Sequence, residues 1–289
     1  MAVHDEAAVR AALRRVWPDP ATAETAQIRA LGGGLNPRSF LAVAGSRRCV
    51  LRVPTPGAPA LLDFATEVRA MRAAAAAGLA PAVVAVDAAG EILLTEYQRG
   101  PWTAENARYP VNIPRIAAVL RALHAVAVDL PVFQAEGIAR DYLAALDAGA
   151  ARALPPAQRA WADELLRLAR HYDASYAPTA FCHNDLVAAN VLDNGAGLLL
   201  VDFEYAVRSA PLLDLAGLVG MNDYTVVQRR ELLSAYYRDS AAPVTTLDLD
   251  NAVRMVRLLA FFWARVGAQR VDGTDVYQRL ATRLQTQLQ

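Results

Sequence analysis

The sequence predicts an α+β fold of two lobes, in which a small lobe with a mixed sheet precedes a mostly helical lobe. Strand-like segments are concentrated before residue 98, helical periodicity dominates the remainder, and Gly100-Pro101 lies where the two patterns meet. We therefore assign an N-terminal lobe to residues 1–97 and a C-terminal lobe to residues 98–289. With 289 residues, the chain is long enough to bury an ample core.

The small lobe begins with a helix and continues through strand-like segments around one further helix. Apolar residues spaced three and four apart predict helices, and short runs of branched apolar residues predict strands. In chain order, we expect a helix at residues 5–16, two strand-like stretches joined by residues 31–40, a return strand at 49–53, a helix at 63–77, and strands at 83–86 and 92–95.

Three successive glycines, Gly32, Gly33 and Gly34, lie between the first two strand-like stretches. Because glycine has no Cβ atom, its backbone amide can approach a bound anion closely. A glycine run alone is typical of many turns that bind nothing, and no Gly-Lys-Ser/Thr follows to complete a Walker pattern. Its place at the entry to a hairpin is what indicates a binding loop.

Arg52 and Glu67 are predicted to form an ion pair inside the small lobe. Arg52 alternates with Leu51 and Val53 on the return strand, so its side chain points to the opposite face of the sheet. Glu67 borders the apolar stripe of the helix at 63–77, from which it can reach back to the strand. An arginine at this place can also bind phosphate with two parallel hydrogen bonds.

The larger lobe is expected to consist mainly of helices. The clearest helical patterns are at residues 116–126, 138–147, 157–172 and 250–266. His124 lies near the end of the first of these helices, and we interpret it as a structural residue.

Composition narrows the classes of partner. The formal net charge is zero, so no global field favours nucleic acid or an anionic membrane, and all 29 basic residues are arginine. Cys49 and Cys182 are too far apart in sequence to indicate a disulfide framework, which favours a reducing cytoplasm. The first residues do not resemble a secretory signal, and no apolar run approaches the roughly 20 residues of a membrane helix.

The stretch from Phe181 to Asp202 carries the strongest chemical signal. Asp185, Asn190 and Asp202 lie close together in sequence, and a turn-rich segment followed by an apolar run predicts a hairpin between the last two. Such a hairpin brings Asn190 and Asp202 together at its open end. An amide oxygen and a carboxylate are ligands that suit Mg²⁺, and a second carboxylate beside the metal can accept a hydroxyl proton.

Each of these residues alone is also typical of turns and strand ends. Their combination is more specific: His183 and Asp185 are followed five residues later by Asn190, and Asp202-Phe203-Glu204 follows an apolar strand. This pattern resembles the catalytic and metal-binding loops of the protein-kinase-like phosphotransferases, in the form found in aminoglycoside phosphotransferases and choline kinases. Pro211 and Asp214-Leu215-Ala216 resemble the choline/ethanolamine kinase branch, which includes the LicA-type enzymes.

The resemblance implies a protein-kinase-like fold that uses Mg²⁺ and ATP, with a role for each matching residue. Asp185 would be the catalytic base, with His183 and Asp214 supporting its loop. Asn190, Asp202 and Glu204 would hold the metal. The nucleotide would contact the glycine loop, the Arg52–Glu67 pair and the connection between the lobes, which gives Gly33, Gly34, Asn36, Arg52, Glu67, Glu96 and Tyr97 as its binding residues.

The acceptor is expected to be a small-molecule alcohol, with choline first. A quaternary ammonium group is bound by aromatic faces and a carboxylate. The candidates are Tyr205, Asp223, Tyr224, Phe262 and Trp263. Two features depart from the choline kinases: Phe261 shares a helical stripe with three arginines, and Asp223-Tyr224 stands where eukaryotic choline kinases have Glu-Trp.

Three alternatives stay open at this point. The acceptor could be an aminoglycoside, ethanolamine, thiamine or a sugar. The protein could bind nucleotide without transferring phosphate, as a pseudokinase does. A nucleic-acid or membrane adaptor is disfavoured by the neutral charge and by the absence of a basic run.

Overall fold

The structure is a computed structural model that describes residues 6–31, 39–54, 63–149, 154–238, 243–269 and 274–289. In the small lobe, the helices are α1 (Glu6–Val16), α2 (Pro20–Thr25) and α3 (Phe64–Ala76). Its strands are β1 (Gln27–Ala30), β2 (Ser39–Ala44), β3 (Arg47–Arg52), β4 (Val83–Asp87) and β5 (Ile92–Glu96).

These strands form one sheet in the order β1-β2-β3-β5-β4. Each of its four pairings is antiparallel, so the expected mixed sheet is corrected to an antiparallel one. The reason lies partly in the short turns between β2 and β3 and between β4 and β5, because tight turns join only antiparallel neighbours. The α+β class itself is confirmed.

The two faces of this sheet have different neighbours. Helices α1 and α2 pack on one face, where Leu13 and Trp17 form a buried cluster with Phe40 and Leu51. Strand β3 alternates, so Leu51 is buried in this cluster while Arg52 lies on the other face. The alternation predicted for this strand is confirmed.

The larger lobe contains eight helices and four short strands among the described residues. The helices are α4 (Ala104–Arg108), α5 (Asn112–His124), α6 (Ala135–Gly149), α7 (Pro156–Ser175), α8 (Leu212–Met221), α9 (Val226–Tyr237), α10 (Thr246–Ala268) and α11 (Thr274–Leu288). The strands are β6 (Ala180–Cys182), β7 (Val191–Asp193), β8 (Leu198–Leu200) and β9 (Val207–Ser209), which pair as β6–β9 and β7–β8.

Every helix and strand predicted above has an observed counterpart, although α5 and α10 begin four residues before their predicted starts. Five of the observed helices, α2, α4, α8, α9 and α11, were not predicted, and α8 is the one that carries a site residue, Asp214. The sequence of α8 is apolar almost throughout, and eight of its residues are buried, so it lacks the amphipathic period that marks a half-buried helix. The order of helices and strands does not determine at which residue one lobe ends and the other begins. The boundary between residues 97 and 98 therefore stays a prediction. No helix in the described ranges is both long and apolar enough to cross a membrane.

Candidate active site

A short hairpin organises the centre of the site. Strands β7 and β8 pair antiparallel, and the N–H of Val201 donates to the Asn190 carbonyl at 3.0 Å, which extends the pairing by one step. At the closed end, the Asn194 side chain accepts hydrogen bonds from the backbone of the turn. The predicted hairpin is confirmed, and it places Asn190 and Asp202 at its open end.

Asp202 has a backbone conformation that is uncommon for a residue other than glycine. Its φ is +67°, in the left-handed region that non-glycine residues seldom occupy. The turn lets Phe203 bury its ring beside Phe181 and His183, with ring centroids 5.8 and 4.6 Å away, while Asp202 stays exposed. Strain of this kind is maintained by the surrounding packing and is concentrated at functional sites.

Asn190 is oriented by Asp185. Its Nδ2 atom donates to the Asp185 carbonyl at 2.9 Å and to the Asp185 carboxylate at 2.8 Å. With the nitrogen engaged in this way, the amide oxygen is the atom that Asn190 can offer to a cation. The predicted loop geometry therefore brings the base candidate and one metal-ligand candidate into direct contact.

The Asp185 carboxyl titrates far from its ordinary range. Burial raises its pKa from 3.8 to about 7, and the negative charges of Asp202 and Glu204 add to the effect, while the hydrogen bond from Asn190 opposes it. Three carboxylates thus repel one another around this point. Oxygen ligands that gather excess negative charge fit a divalent cation such as Mg²⁺.

Both ring nitrogens of His183 have hydrogen-bond partners inside the protein. The residue is fully buried; its Nε2 atom donates to the Val201 carbonyl at 2.9 Å, and its Nδ1 atom accepts from the Asp185 N–H at 3.3 Å. Burial lowers the pKa of His183, against the opposing charge of Asp214, so the neutral ring is favoured. These contacts agree with the supporting role implied by the resemblance.

Asp214 lies in the first turn of α8 and is fully buried. Its carboxylate accepts hydrogen bonds from the backbone N–H groups of His183 and Asn184, both at 2.8 Å. It also lies 3.0 Å from Nε2 of His124, whose Nδ1 atom is 2.7 Å from the Tyr236 hydroxyl. Asp214 therefore holds the backbone just before Asp185, and the contacts of His124 agree with its interpretation as a structural residue.

Arg52 joins the two lobes through its guanidinium group. One nitrogen lies 2.8 Å from Glu67 on α3, so the predicted ion pair is confirmed, and another lies 3.1 Å from Glu204. Burial opposes the charge on Arg52, yet the three carboxylates of Glu67, Asp202 and Glu204 hold its pKa above the ordinary value. The contact with Glu204 was not predicted, because the two residues are 152 positions apart.

Glu96 and Tyr97 lie at the end of β5, in the connection between the lobes. The N–H of Glu96 donates to the Ala82 carbonyl at 2.9 Å, and the N–H of Tyr97 donates to the Arg48 carbonyl at 3.1 Å. Both amide donors are therefore engaged within the protein. Glu96 and Tyr97 are predicted to contact the nucleotide, and neither of these two N–H groups is available for that contact.

Gly100, in the connection between the lobes, lies in close contact with the β7–β8 hairpin, and the sequence pattern did not predict this contact. Its φ is +81°, and a Cβ atom at this position would lie 2.0 Å from the Asp193 carbonyl oxygen. The Asp193 N–H donates to the Gly100 carbonyl at 2.7 Å, and Arg115 binds the Asp193 carboxylate at 2.7 Å. The Gly100-Pro101 pair predicts only a boundary between the two lobes. In the structure, Gly100 also allows the backbone of the connection to approach that of Asp193 closely.

Two of the predicted acceptor residues, Tyr224 and Phe262, are buried, and this contradicts a direct contact between either of them and an acceptor. Tyr224 is 2% exposed and donates its hydroxyl to the Ala107 carbonyl at 2.6 Å, and Phe262 is fully buried in the core. Trp263 packs edge-on against Tyr277, with ring centroids 5.2 Å apart.

Asp223 is bound by other side chains. Arg257 and Arg283 contact its two carboxylate oxygens at 3.2 and 3.0 Å, and Gln287 donates to it at 2.6 Å. Two cations already face this carboxylate, so it is poorly suited to bind a third. Tyr205, the remaining candidate, is partly exposed directly after Glu204. Gly33, Gly34 and Asn36 lie outside the described residues.

Taken together, the fold and the arrangement around Asp185 define a small-molecule phosphotransferase with a protein-kinase-like architecture. A family model described as the phosphotransferase enzyme family matches residues 27–248, and the chain belongs to that family. No curated protein sequence matches the chain.

Solved structures agree with this assignment. A choline/ethanolamine kinase family protein from Mesorhizobium loti is 27% identical, with a TM-score of 0.77 over 98% of this chain and 93% of that one. The choline kinase LicA from Streptococcus pneumoniae is 18% identical, with a TM-score of 0.78 over 98% of this chain and 100% of that one. A macrolide 2'-phosphotransferase from Brachybacterium faecium is 18% identical, with a TM-score of 0.63 over 97% of this chain and 98% of that one.

Proposed function

We propose that this protein transfers the γ-phosphoryl group of Mg²⁺-ATP to the hydroxyl group of a small molecule, with choline as the first acceptor to test. One arrangement carries the proposal. Asp185 is hydrogen-bonded to Asn190, and the negative charges of Asp202 and Glu204 act on its carboxyl group. Arg52, from the opposite lobe, contacts Glu204. A carboxylate, a metal-binding set and a phosphate-binding cation are thus gathered in one place.

Each group has a part in the proposed reaction. Asn190, Asp202 and Glu204 would hold Mg²⁺, which when bound supplies positive charge beside the phosphate oxygens. Arg52 binds the phosphates in an orientation set by Glu67. Asp185 orients the acceptor hydroxyl and takes its proton while the new O–P bond forms and the bond between the γ-phosphorus and ADP breaks. Positioning and charge neutralisation therefore account for the catalysis.

Choline as the acceptor is supported by the 27% identity to the choline/ethanolamine kinase family protein. A different alcohol, such as a sugar or an aminoglycoside, is the second candidate. It is favoured by the engagement of Asp223 with two arginines and by the burial of Tyr224 and Phe262. A cytoplasmic location is part of the proposal, because Cys49 and Cys182 are both buried free thiols.

A survey of acceptors tests the proposal. ADP release from Mg²⁺-ATP is measured with choline, ethanolamine, thiamine, a sugar and a kanamycin-type aminoglycoside, each with and without a chelator. We expect metal-dependent turnover of choline that is lost in Asp185→Asn. Turnover of another acceptor without choline would replace the acceptor and keep the chemistry. Nucleotide binding without transfer to any acceptor would overturn the reaction itself and favour a pseudokinase.

A further inference from the structure

Both ends of helix α8 contact the loop around Asp185, residues 183–186, which we call the catalytic loop. At the start of α8, Asp214 accepts hydrogen bonds from the backbone N–H groups of His183 and Asn184, the two residues before Asp185. At its end, the C-cap residue Asn222 reaches the same loop from the other side. The contact made by Asp214 is part of the site described above, and the contact made by Asn222 is not.

Asn222 binds the backbone immediately after Asp185. The residue is 2% exposed, and its Nδ2 atom donates to the Leu186 carbonyl at 2.8 Å. The same nitrogen donates to the Leu218 carbonyl at 2.8 Å, within its own helix. A buried amide with two partners has a defined orientation. The backbone of Asp185 is thus held on its N-terminal side by a carboxylate and on its C-terminal side by an amide.

The last two helices hold the turn that carries Asn222. Arg257 of α10 donates to the Gly220 carbonyl at 3.1 Å, and Arg283 of α11 donates to the Met221 carbonyl at 3.2 Å. Both arginines and Gln287 of α11 also bind Asp223, whose φ is +56°. Charged hydrogen bonds therefore fix the residues on both sides of Asn222.

We propose that Asn222 is a positioning residue for Asp185, and that α11 sets the position of Asn222 through Asp223. This inference rests on the proposed function, because it takes Asp185 as the group that meets the acceptor hydroxyl. The physical reason is geometric: a base acts only within hydrogen-bond reach of the proton it accepts, and small displacements of such a group reduce the rate steeply. Asp223 thereby has a supporting role in place of the predicted acceptor-binding one.

The first test compares Asn222→Ala with Gln158→Ala. Gln158 is also a buried amide, and it accepts a hydrogen bond from Arg265 between α7 and α10, away from the catalytic loop. Steady-state rates are measured with Mg²⁺-ATP and choline, or with water as the acceptor if choline is not turned over. For Asn222→Ala we expect kcat to fall about 10- to 100-fold while KM for ATP stays within about twofold.

For Gln158→Ala we expect kcat within about threefold of the wild type at a comparable loss of thermal stability. A merely structural role for Asn222 would give both variants the same kinetic change. That result, or a kcat for Asn222→Ala within about threefold of the wild type, overturns the proposal.

A second pair of variants decides the matter if Asn222→Ala does not fold. The double variant Arg283→Gln with Gln287→Leu removes both α11 contacts to Asp223, and Arg279→Gln removes a charge from an exposed position of the same helix. We expect the double variant to lose about fivefold or more in kcat at unchanged KM for ATP, and Arg279→Gln to stay within about twofold. Equal kinetics for the two variants would contradict the proposal.

Asp185→Asn separates this inference from the proposed function. If that variant is inactive and the variants at Asn222 and α11 have normal kcat, only the positioning role fails. If Asp185→Asn keeps its activity, the assignment of the base fails first.

Discussion

The amide nitrogen of Asn190 lies 2.8 Å from a carboxylate oxygen of Asp185, so the base and a metal ligand of the proposed reaction share one hydrogen bond. The bond has two consequences. It fixes which atom of Asn190 can face a cation, and it opposes the rise in the Asp185 pKa that burial and neighbouring charges produce. Substitutions at this pair should therefore reduce the rate of phosphoryl transfer more than they reduce nucleotide affinity.

Asp185→Asn should abolish phosphoryl transfer and leave nucleotide binding largely intact. The substitution keeps the shape of the side chain and removes the proton acceptor, whose loss typically costs about 10²- to 10⁴-fold in rate. Coupled ADP release measures the rate, and titration with a fluorescent nucleotide measures binding. Asp129→Asn, at an exposed position, is the control. A rate above roughly a tenth of the wild type would show that Asp185 is not the base.

The pH dependence of stability in the absence of metal should report the same group. The folded protein retains the Asp185 proton up to a pH of about 7, whereas the unfolded chain loses it near 3.8. Over this window the unfolded state binds fewer protons, so the stability contributed by Asp185 is present at low pH and is lost as the pH rises through about 7.

Urea unfolding in a chelating buffer between pH 5 and pH 8 measures this effect, and Asp185→Asn is its matched control. We expect the free energy of unfolding of the wild type to fall, relative to that of the variant, as the pH increases. Added Mg²⁺ and nucleotide should reduce the difference, because a cation favours the ionised carboxylate. Parallel curves for the two proteins would be incompatible with a raised pKa at this position.

Arg52→Ala should raise KM for ATP. The side chain is in place to bind phosphate, and a hydrogen bond to a charged group contributes about 1.5 to 3 kcal/mol, which corresponds to a tenfold or larger change in affinity. The variant should also be less stable, because it removes the cation that faces the buried Glu67 carboxylate. Arg47→Ala, at the exposed start of the same strand, is the control. An unchanged KM would place the phosphate-binding group elsewhere.

Gly100→Ala should be more damaging than Gly195→Ala. Both glycines have positive φ, at +81° and +88°, so either substitution introduces strain of about 1 to 3 kcal/mol. Only at Gly100 would the added Cβ lie 2.0 Å from a backbone oxygen, that of Asp193, whereas nothing lies within 4 Å at Gly195. The difference between the two variants therefore isolates the close contact between the lobe connection and the hairpin.

Urea unfolding and steady-state kinetics measure this difference. For Gly100→Ala we expect the greater loss of stability, together with a lower kcat, because the displaced hairpin carries Asn190 and Asp202. Gly195→Ala should lose stability with little change in kcat. Equal losses in both variants would mean that the connection yields without moving the hairpin.

Much of the site could be predicted because its signals are local. Asp185, Asn190 and Asp202 lie within a stretch of 18 residues, and a turn between two apolar runs is enough to predict the hairpin that gathers them. The pairing of Arg52 with Glu67 followed from one strand period and one helix period. Such patterns depend on backbone geometry, which each segment carries in its own residues.

The contacts that depend on distant segments could not be predicted. A helical or strand period shows which face of an element is apolar, but it does not show which element that face will meet. Three sets of contacts in the structure join residues that are far apart in the chain. They are the ion pair of Arg52 with Glu204, the ion pairs of Asp223 with two arginines, and the hydrogen bond from Asn222 to Leu186. Only the packing of those elements decides whether a carboxylate or an amide faces a ligand or a neighbouring side chain, and for this reason the acceptor residues were the part of the site that the tertiary structure changed.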